Sequence, residues 1–163
     1  MIEVRDAVPA DLEAMLTIYN DAVVNTTAVY DYAPRSPEAQ TTWFESKRNQ
    51  RHPVLVAVAE QTVVGFTSYG PFRPWPAYQH TVENAIYIAP GHRGRGIGTQ
   101  LLGPLIAMAQ QRGYHAMVAG IDATNEASLR LHRKLGFEQV GHFRQVGWKF
   151  ERWLDLVFLE RLL

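Results

Sequence analysis

Apolar and polar residues alternate from Ile2 to Asp6, the period of a half-buried strand. The period then changes. Leu12, Met15, Leu16, Tyr19, Ala22 and Val23 recur at helical spacing, behind Pro9 at a first helical position and Asp11 in the first turn. A second helix opens cleanly: Ser36 is an N-cap, Pro37 fits N1, Glu38 suits the positive end of the dipole, and the helix stops before His52-Pro53. Val54–Ala59 and residues 63–69 are runs rich in β-branched side chains, separated by Glu60, Gln61 and Thr62, which predicts a hairpin. Three prolines between Gly70 and Tyr78 forbid regular structure there. Thr81–Ile88 predicts another strand, and residues 90–98 a glycine-rich basic turn. Leu101, Leu102, Leu105, Ile106 and Ala109 continue as a helix that Gly113 can cap. A strand over 115–121, a helix over 125–135 closed by Gly136, and an antiparallel pair over 138–143 and 148–159 complete the chain.

The order β α α β β β α β α β β predicts an α+β fold, a mixed sheet with helices on its faces rather than a doubly wound one. No repeat, low-complexity tract or Gly/Ser linker interrupts it, so residues 1–163 read as a single domain. Composition adds mostly exclusions. At 47% hydrophobic and 20% charged, the chain is ordinary for a globular protein, and a fold of this length buries roughly 70% of its extended surface. Sixteen basic and sixteen acidic residues cancel, which argues against nucleic acid or an anionic membrane as the main partner. The absence of cysteine removes disulfides, thiolate metal sites and a covalent cysteine intermediate. The six histidines show no metal-ligand spacing, so no metal is expected. Residues 1–6 lack a basic n-region and an apolar h-region, and no apolar run approaches the ~18–20 residues that span a bilayer. The expected location is the cytoplasm.

The chemistry concentrates in His92-Arg93-Gly94-Arg95-Gly96-Ile97-Gly98-Thr99, between a strand and a helix. Glycines there let a ligand approach the main chain, and free amides with a helix N-terminus behind them suit a pyrophosphate. Arg93 and Arg95 add cationic donors. Neither the Walker pattern nor a dinucleotide fingerprint matches: the former string is absent, and Gly-x-Gly-x-Gly follows the fourth strand rather than the first.

Arg93-x-x-Gly96-x-Gly98 resembles the Arg/Gln-x-x-Gly-x-Gly/Ala motif of the GNAT superfamily of acetyl-coenzyme A-dependent N-acetyltransferases. The segment from Asn125 to Phe137 resembles its second cofactor-side motif. Within the superfamily the likeness is greatest to the phosphinothricin and methionine sulfoximine (methionine sulfone) acetyltransferases. It is carried by Ile18-Tyr19-Asn20, Thr81-Val82-Glu83, Met117-Val118-Ala119-Gly120-Ile121 and the run from Gly147 to Leu156. The resemblance implies the GNAT fold, a mostly antiparallel seven-stranded sheet with about four helices, and acetyl-CoA as co-substrate. It implies that the amides of Arg93, Gly94, Arg95, Gly96, Ile97 and Gly98 hold the pyrophosphate. Main-chain groups of Ile86, Tyr87 and Ile88 would take the pantetheine and acetyl carbonyl, and Asn125 and Ser128 would border the arm. Asn125 also reads as a plain helix N-cap.

Glu83 is the candidate general base, placed in an otherwise apolar strand where burial would raise its pKa toward working pH. His132 stands where many GNAT enzymes carry a tyrosine, and reads either as general acid for the leaving thiol or as a packed helix histidine. Arg73 could clamp a substrate carboxylate, with Trp75 and Tyr78 as apolar walls and Tyr30 lining the same pocket. The large apolar residues of 148–159 suit core or a subunit interface, and the resembled enzymes are homodimers. The sequence therefore points to direct acetyl transfer onto the α-amine of a small methionine- or glutamate-like amino acid. An acetyltransferase for a protein N-terminus or polyamine, and a non-catalytic acyl-CoA sensor, remain as alternatives.

Overall fold

The computed structural model describes residues 1–163. Seven strands, β1 (Ile2–Asp6), β2 (Val54–Ala59), β3 (Thr62–Pro71), β4 (Thr81–Ile88), β5 (Ala116–Asp122), β6 (Glu138–Lys149) and β7 (Arg152–Leu162), form one sheet in the order β1-β2-β3-β4-β5-β7-β6. Every pairing is antiparallel except β4 with β5. Four helices cover it: α1 (Leu12–Asn25), α2 (Pro37–Asn49), α3 (Ile97–Gln111) and α4 (Glu126–Lys134). The expected α+β mixed sheet is present.

Local chemistry sets the ends of these elements. Ser36 Oγ accepts from the Ala39 amide at 3.1 Å and caps α2. Gly113 (φ +81°) and Gly136 (φ +85°) take the left-handed conformation just past α3 and α4. At the latter the Phe137 amide returns to the His132 carbonyl at 3.0 Å. Two apolar cores result. Leu101, Leu102, Leu105 and Ala109 of α3 pack with Leu55, Met117 and Leu159 on one face of the sheet. Met15 and Ile18 of α1 and Phe44 of α2 pack on Val54, Val56 and Phe66 on the other.

Several boundaries differ from the sequence expectation: Gly70 and Pro71, expected to be irregular, extend β3 and pair with Glu83 and Val82, because a proline is tolerated at a strand end. The β2–β3 loop is only Glu60-Gln61, both with positive φ (48° and 64°), and Thr62 already pairs with Ala59. The last hairpin turns at Phe150-Glu151 (φ 54° and 58°), so Trp148 belongs to β6 instead of starting β7 and pairs with Trp153. Gly147 lies inside β6. A Cβ there would stand 2.9 Å from the Tyr30 ring, so the glycine serves a close approach and not a turn. Ahead of it the strand bulges: no residue of 144–146 is paired between Phe143↔Leu156 and Gly147↔Leu154. Asp155 fills the gap, accepting from the Gln145 amide at 2.9 Å and contacting His142 Nε2 at 2.8 Å.

Candidate active site

The β4–β5 pairing makes the site. Only Thr81, Val82 and Glu83 pair with Ala116, Met117 and Val118; beyond them the two strands separate. Residues 84–88 keep β3 on one side and have an open main-chain edge on the other. A cleft of about 320 Å³ fills the gap, bordered by Tyr30, Glu83, Asn84, Gly120, Asp122 and His132 among others. Ile86, Tyr87, Asn125 and Ser128, four of the sequence-proposed acetyl-CoA residues, border it too, while Ile88 does not.

The loop before α3 supplies an anion cradle. Gly94 (φ +75°) and Gly96 (φ +78°) are left-handed, a Cβ on either would meet nothing within 4 Å, and Gly96 caps α3. None of the six amides from Arg93 to Gly98 donates to an acceptor in the chain. Six unpartnered donors at a helix N-terminus fit a pyrophosphate. A Cβ on Gly98 would lie 2.7 Å from a Leu131 methyl, so that glycine allows α3 and α4 to approach each other. The two arginines divide their roles. Arg93 Nε donates to the Ile88 carbonyl at 3.1 Å and its NH2 lies 3.5 Å from Asp21, which ties the loop to β4 and α1. Arg95 is exposed and makes no such bond.

Glu83 is half-buried and lies where the cleft meets a second cavity, of about 80 Å³, on the α1–α2 side. Burial raises its carboxyl pKa and the charge of Arg73 pulls it back. Arg73 itself is exposed, its guanidinium 4.9 Å from the Phe72 ring centroid, and it borders neither cavity. Trp75 and Tyr78 also stand exposed and border neither, contrary to the expected role as pocket walls. With Pro74, Pro76 and a single short 3-10 turn (Pro76–Tyr78), their segment forms a loop outside the sheet. Tyr30 does reach the cleft. Its hydroxyl lies 2.8 Å from Asp122 Oδ2 and 3.0 Å from the Asp155 carbonyl, and burial with the adjacent carboxylate raises its pKa well beyond the usual phenol range.

His132 is buried, and both its nitrogens have partners inside the chain. Nδ1 lies 2.8 Å from the Ser128 carbonyl, an acceptor only, so Nδ1 carries the proton. Nε2 lies 3.2 Å from the Asn84 side-chain amide. The facing atom is Asn84 Oδ1, and turning that amide over would bring its donor Nδ2, which has no partner, against the Nε2 lone pair of a neutral ring. Burial, partly offset by the Ser128 carbonyl, lowers the His132 pKa and favours the neutral ring.

Sequence reasoning missed several residues here. Asn84 and Asp122 are buried polar groups in apolar runs, a signal that was available. Arg35 and Lys47 come from α2 and the segment before it, and nothing in their local sequence links them to Glu83. No group of three His, Asp or Glu side chains is placed to hold a metal ion, and no helix is long and apolar enough to cross a membrane.

A sheet opened between a parallel pair of strands, with an anion cradle after β4 and a half-buried carboxylate on the gap, suits an enzyme that holds a phosphate-bearing molecule beside a general base. Residues 13–137 match the model of the acetyltransferase (GNAT) family, and the chain belongs to that family; it is an N-acetyltransferase. It is 48% identical, over 96% of its length and 92% of the relative's, to an L-methionine sulfoximine/L-methionine sulfone acetyltransferase of Pseudomonas aeruginosa. It is 38% identical to a phosphinothricin N-acetyltransferase of Streptomyces coelicolor, covering 99% of this chain and 96% of that one. Its fold superposes on a GNAT phosphinothricin acetyltransferase from Sinorhizobium meliloti in complex with acetyl-CoA with a TM-score of 0.97, at 37% identity over 99% of this chain and 88% of that one.

Proposed function

We propose that the protein is a cytoplasmic, homodimeric enzyme that acetylates the α-amine of a small methionine- or glutamate-like amino acid. Methionine sulfoximine, methionine sulfone and phosphinothricin are the leading candidates. The observation that carries this reading is Glu83: a half-buried carboxylate that borders the β4–β5 cleft within the field of an exposed arginine, on the strand that leads to the six unpartnered amides. The named activities of the relatives support the substrate class.

Acetyl-CoA supplies the acyl group. The amides of Arg93 to Gly98 bind its pyrophosphate, Asn125 and Ser128 flank the pantetheine arm, and the open edge at Ile86–Ile88 orients the thioester. Glu83 takes the proton of the α-ammonium and leaves a free amine. The amine attacks the thioester carbonyl, a C–N bond replaces the C–S bond, and the second proton shed by the nitrogen goes to the departing thiolate, which leaves as the free thiol of CoA. A thiol pKa near ~8.5 makes that departure feasible without a strong acid. His132 has no proton to give on Nε2, so its part is to hold Asn84 and the cleft wall. An α-amine, with a pKa near ~8 against ~10.4 for lysine, suits one weak base. Arg73 takes the substrate carboxylate.

The test is thiol release from acetyl-CoA with methionine sulfone, methionine sulfoximine, phosphinothricin, a polyamine and peptides with free N-termini or lysines. Turnover confined to the α-amino acids is expected. Turnover with the polyamine or a peptide instead removes the carboxylate clamp, and silence across the panel despite acetyl-CoA binding leaves only an acyl-CoA sensor.

A further inference from the structure

The second cavity beside Glu83 is bordered by Tyr19, Arg35, Trp43, Lys47 and Ser68, and its volume of about 80 Å³ suits a few waters or one compact polar head group. Two cations face it, and neither belongs to an ion pair: those of the chain are Arg5–Asp11, Arg93–Asp21 and His142–Asp155. Both are held in place. The Arg35 amide donates to Asn20 Oδ1 at 2.8 Å, and Asn20 Nδ2 donates back to the Arg35 carbonyl at 3.0 Å. Its NH1 donates to the buried Gln40 Oε1 at 2.7 Å, and its guanidinium carbon sits 3.9 Å from the Tyr19 ring centroid. Lys47 Nζ donates to the Tyr69 carbonyl at 2.9 Å, beside the Trp43 ring. Burial, then the charge of Arg35, pushes the Lys47 ammonium down to about 8. A solvated arginine needs none of this scaffolding, and two half-buried like charges that are bonded only to neutral oxygens, with Glu83 on the same cavity but in no ion pair with either, keep donors free for an oxygen-rich ligand.

We propose that Arg35 and Lys47 form a subsite for the distal head of the acceptor amino acid, binding its sulfonyl, sulfoximine or phosphinyl oxygens while its α-amine stands at Glu83. This rests on the α-amino-acid reading above. Glu83 borders both cavities, so one molecule can present its amine to the cleft and its side chain to the smaller void. Ser68, buried on β3, adds a hydroxyl at the same place.

The experiment compares kcat/KM for methionine sulfone, phosphinothricin and norleucine in Arg35→Gln, Lys47→Met and the charge-keeping Lys47→Arg, with thermal unfolding as the control for folding. Loss of one charge-assisted hydrogen bond should lower kcat/KM for the sulfone and the phosphinate by about ten- to a hundred-fold. Norleucine, with no oxygen to lose, should change by less than about three-fold, and Lys47→Arg should retain much of the discrimination. An equal fall for all three substrates in a folded variant overturns the subsite, as does an unchanged ratio. If the wild-type enzyme acetylates none of the three, the α-amino-acid reading itself has failed, which is a different result.

Discussion

At the residue scale the argument turns on protonation. Glu83 acts as a base only when ionised, and burial raises its pKa above the ordinary carboxylate value. Activity is therefore present above that raised value and lost as the pH falls through it. Arg73 favours the ionised form, so Arg73→Ala should move the acid limb of kcat/KM to higher pH and raise KM for α-amino acids; an unmoved limb would show that the two charges are uncoupled. Glu83→Gln should lower kcat by about 10²–10⁴-fold with acetyl-CoA affinity unchanged, measured by calorimetry. Glu83 was legible because an acid in an otherwise apolar strand is conspicuous. The state of His132 was not, because it depends on Asn84, forty-eight residues away.

At the scale of elements, the cradle and the turns behaved differently as signals. Gly94 and Gly96 announce left-handed backbone, and the structure uses them that way. Gly96→Ala should destabilise the fold by about 1–2 kcal/mol in thermal unfolding, the strain of an L-residue at positive φ. It should also weaken acetyl-CoA binding beyond that loss, because relief of the positive-φ strain shifts the loop that presents the free amides. Unchanged affinity in the folded variant would move the pyrophosphate elsewhere. The Phe150-Glu151 turn carried no such signal: neither residue favours positive φ, and the pairing of Trp148 with Trp153 (ring centroids 4.8 Å apart) fixes the register. The same hairpin sends Lys149 into the molecule, where its Nζ donates to the Val23 and Val29 carbonyls at 2.5 and 2.7 Å and fastens the end of α1 to the segment that carries Tyr30.

At the scale of the molecule, β6 is an edge strand, and Phe143, Val146, Trp148, Phe150 and Trp153 are each about half exposed on the β6–β7 hairpin. Apolar exposure of that kind beside an unpaired edge marks an association surface, which supports the proposed homodimer. Trp153→Arg should convert the dimer to a monomer in light scattering. A monomeric wild-type protein would end that reading.

The sequence by itself determined the element order, the caps, the glycine cradle and the buried acid, because each is a local matter of periodicity, backbone freedom or polarity. Its likeness to the GNAT enzymes also named the residues that would meet the coenzyme. The tertiary structure alone decided where β4 and β5 part and which residues border the gap between them. It left Trp75 and Tyr78 outside the cleft and brought Arg35 and Lys47 beside Glu83. Those outcomes depend on contacts between residues far apart in the chain, and no local pattern encodes a neighbour that only the closed sheet supplies.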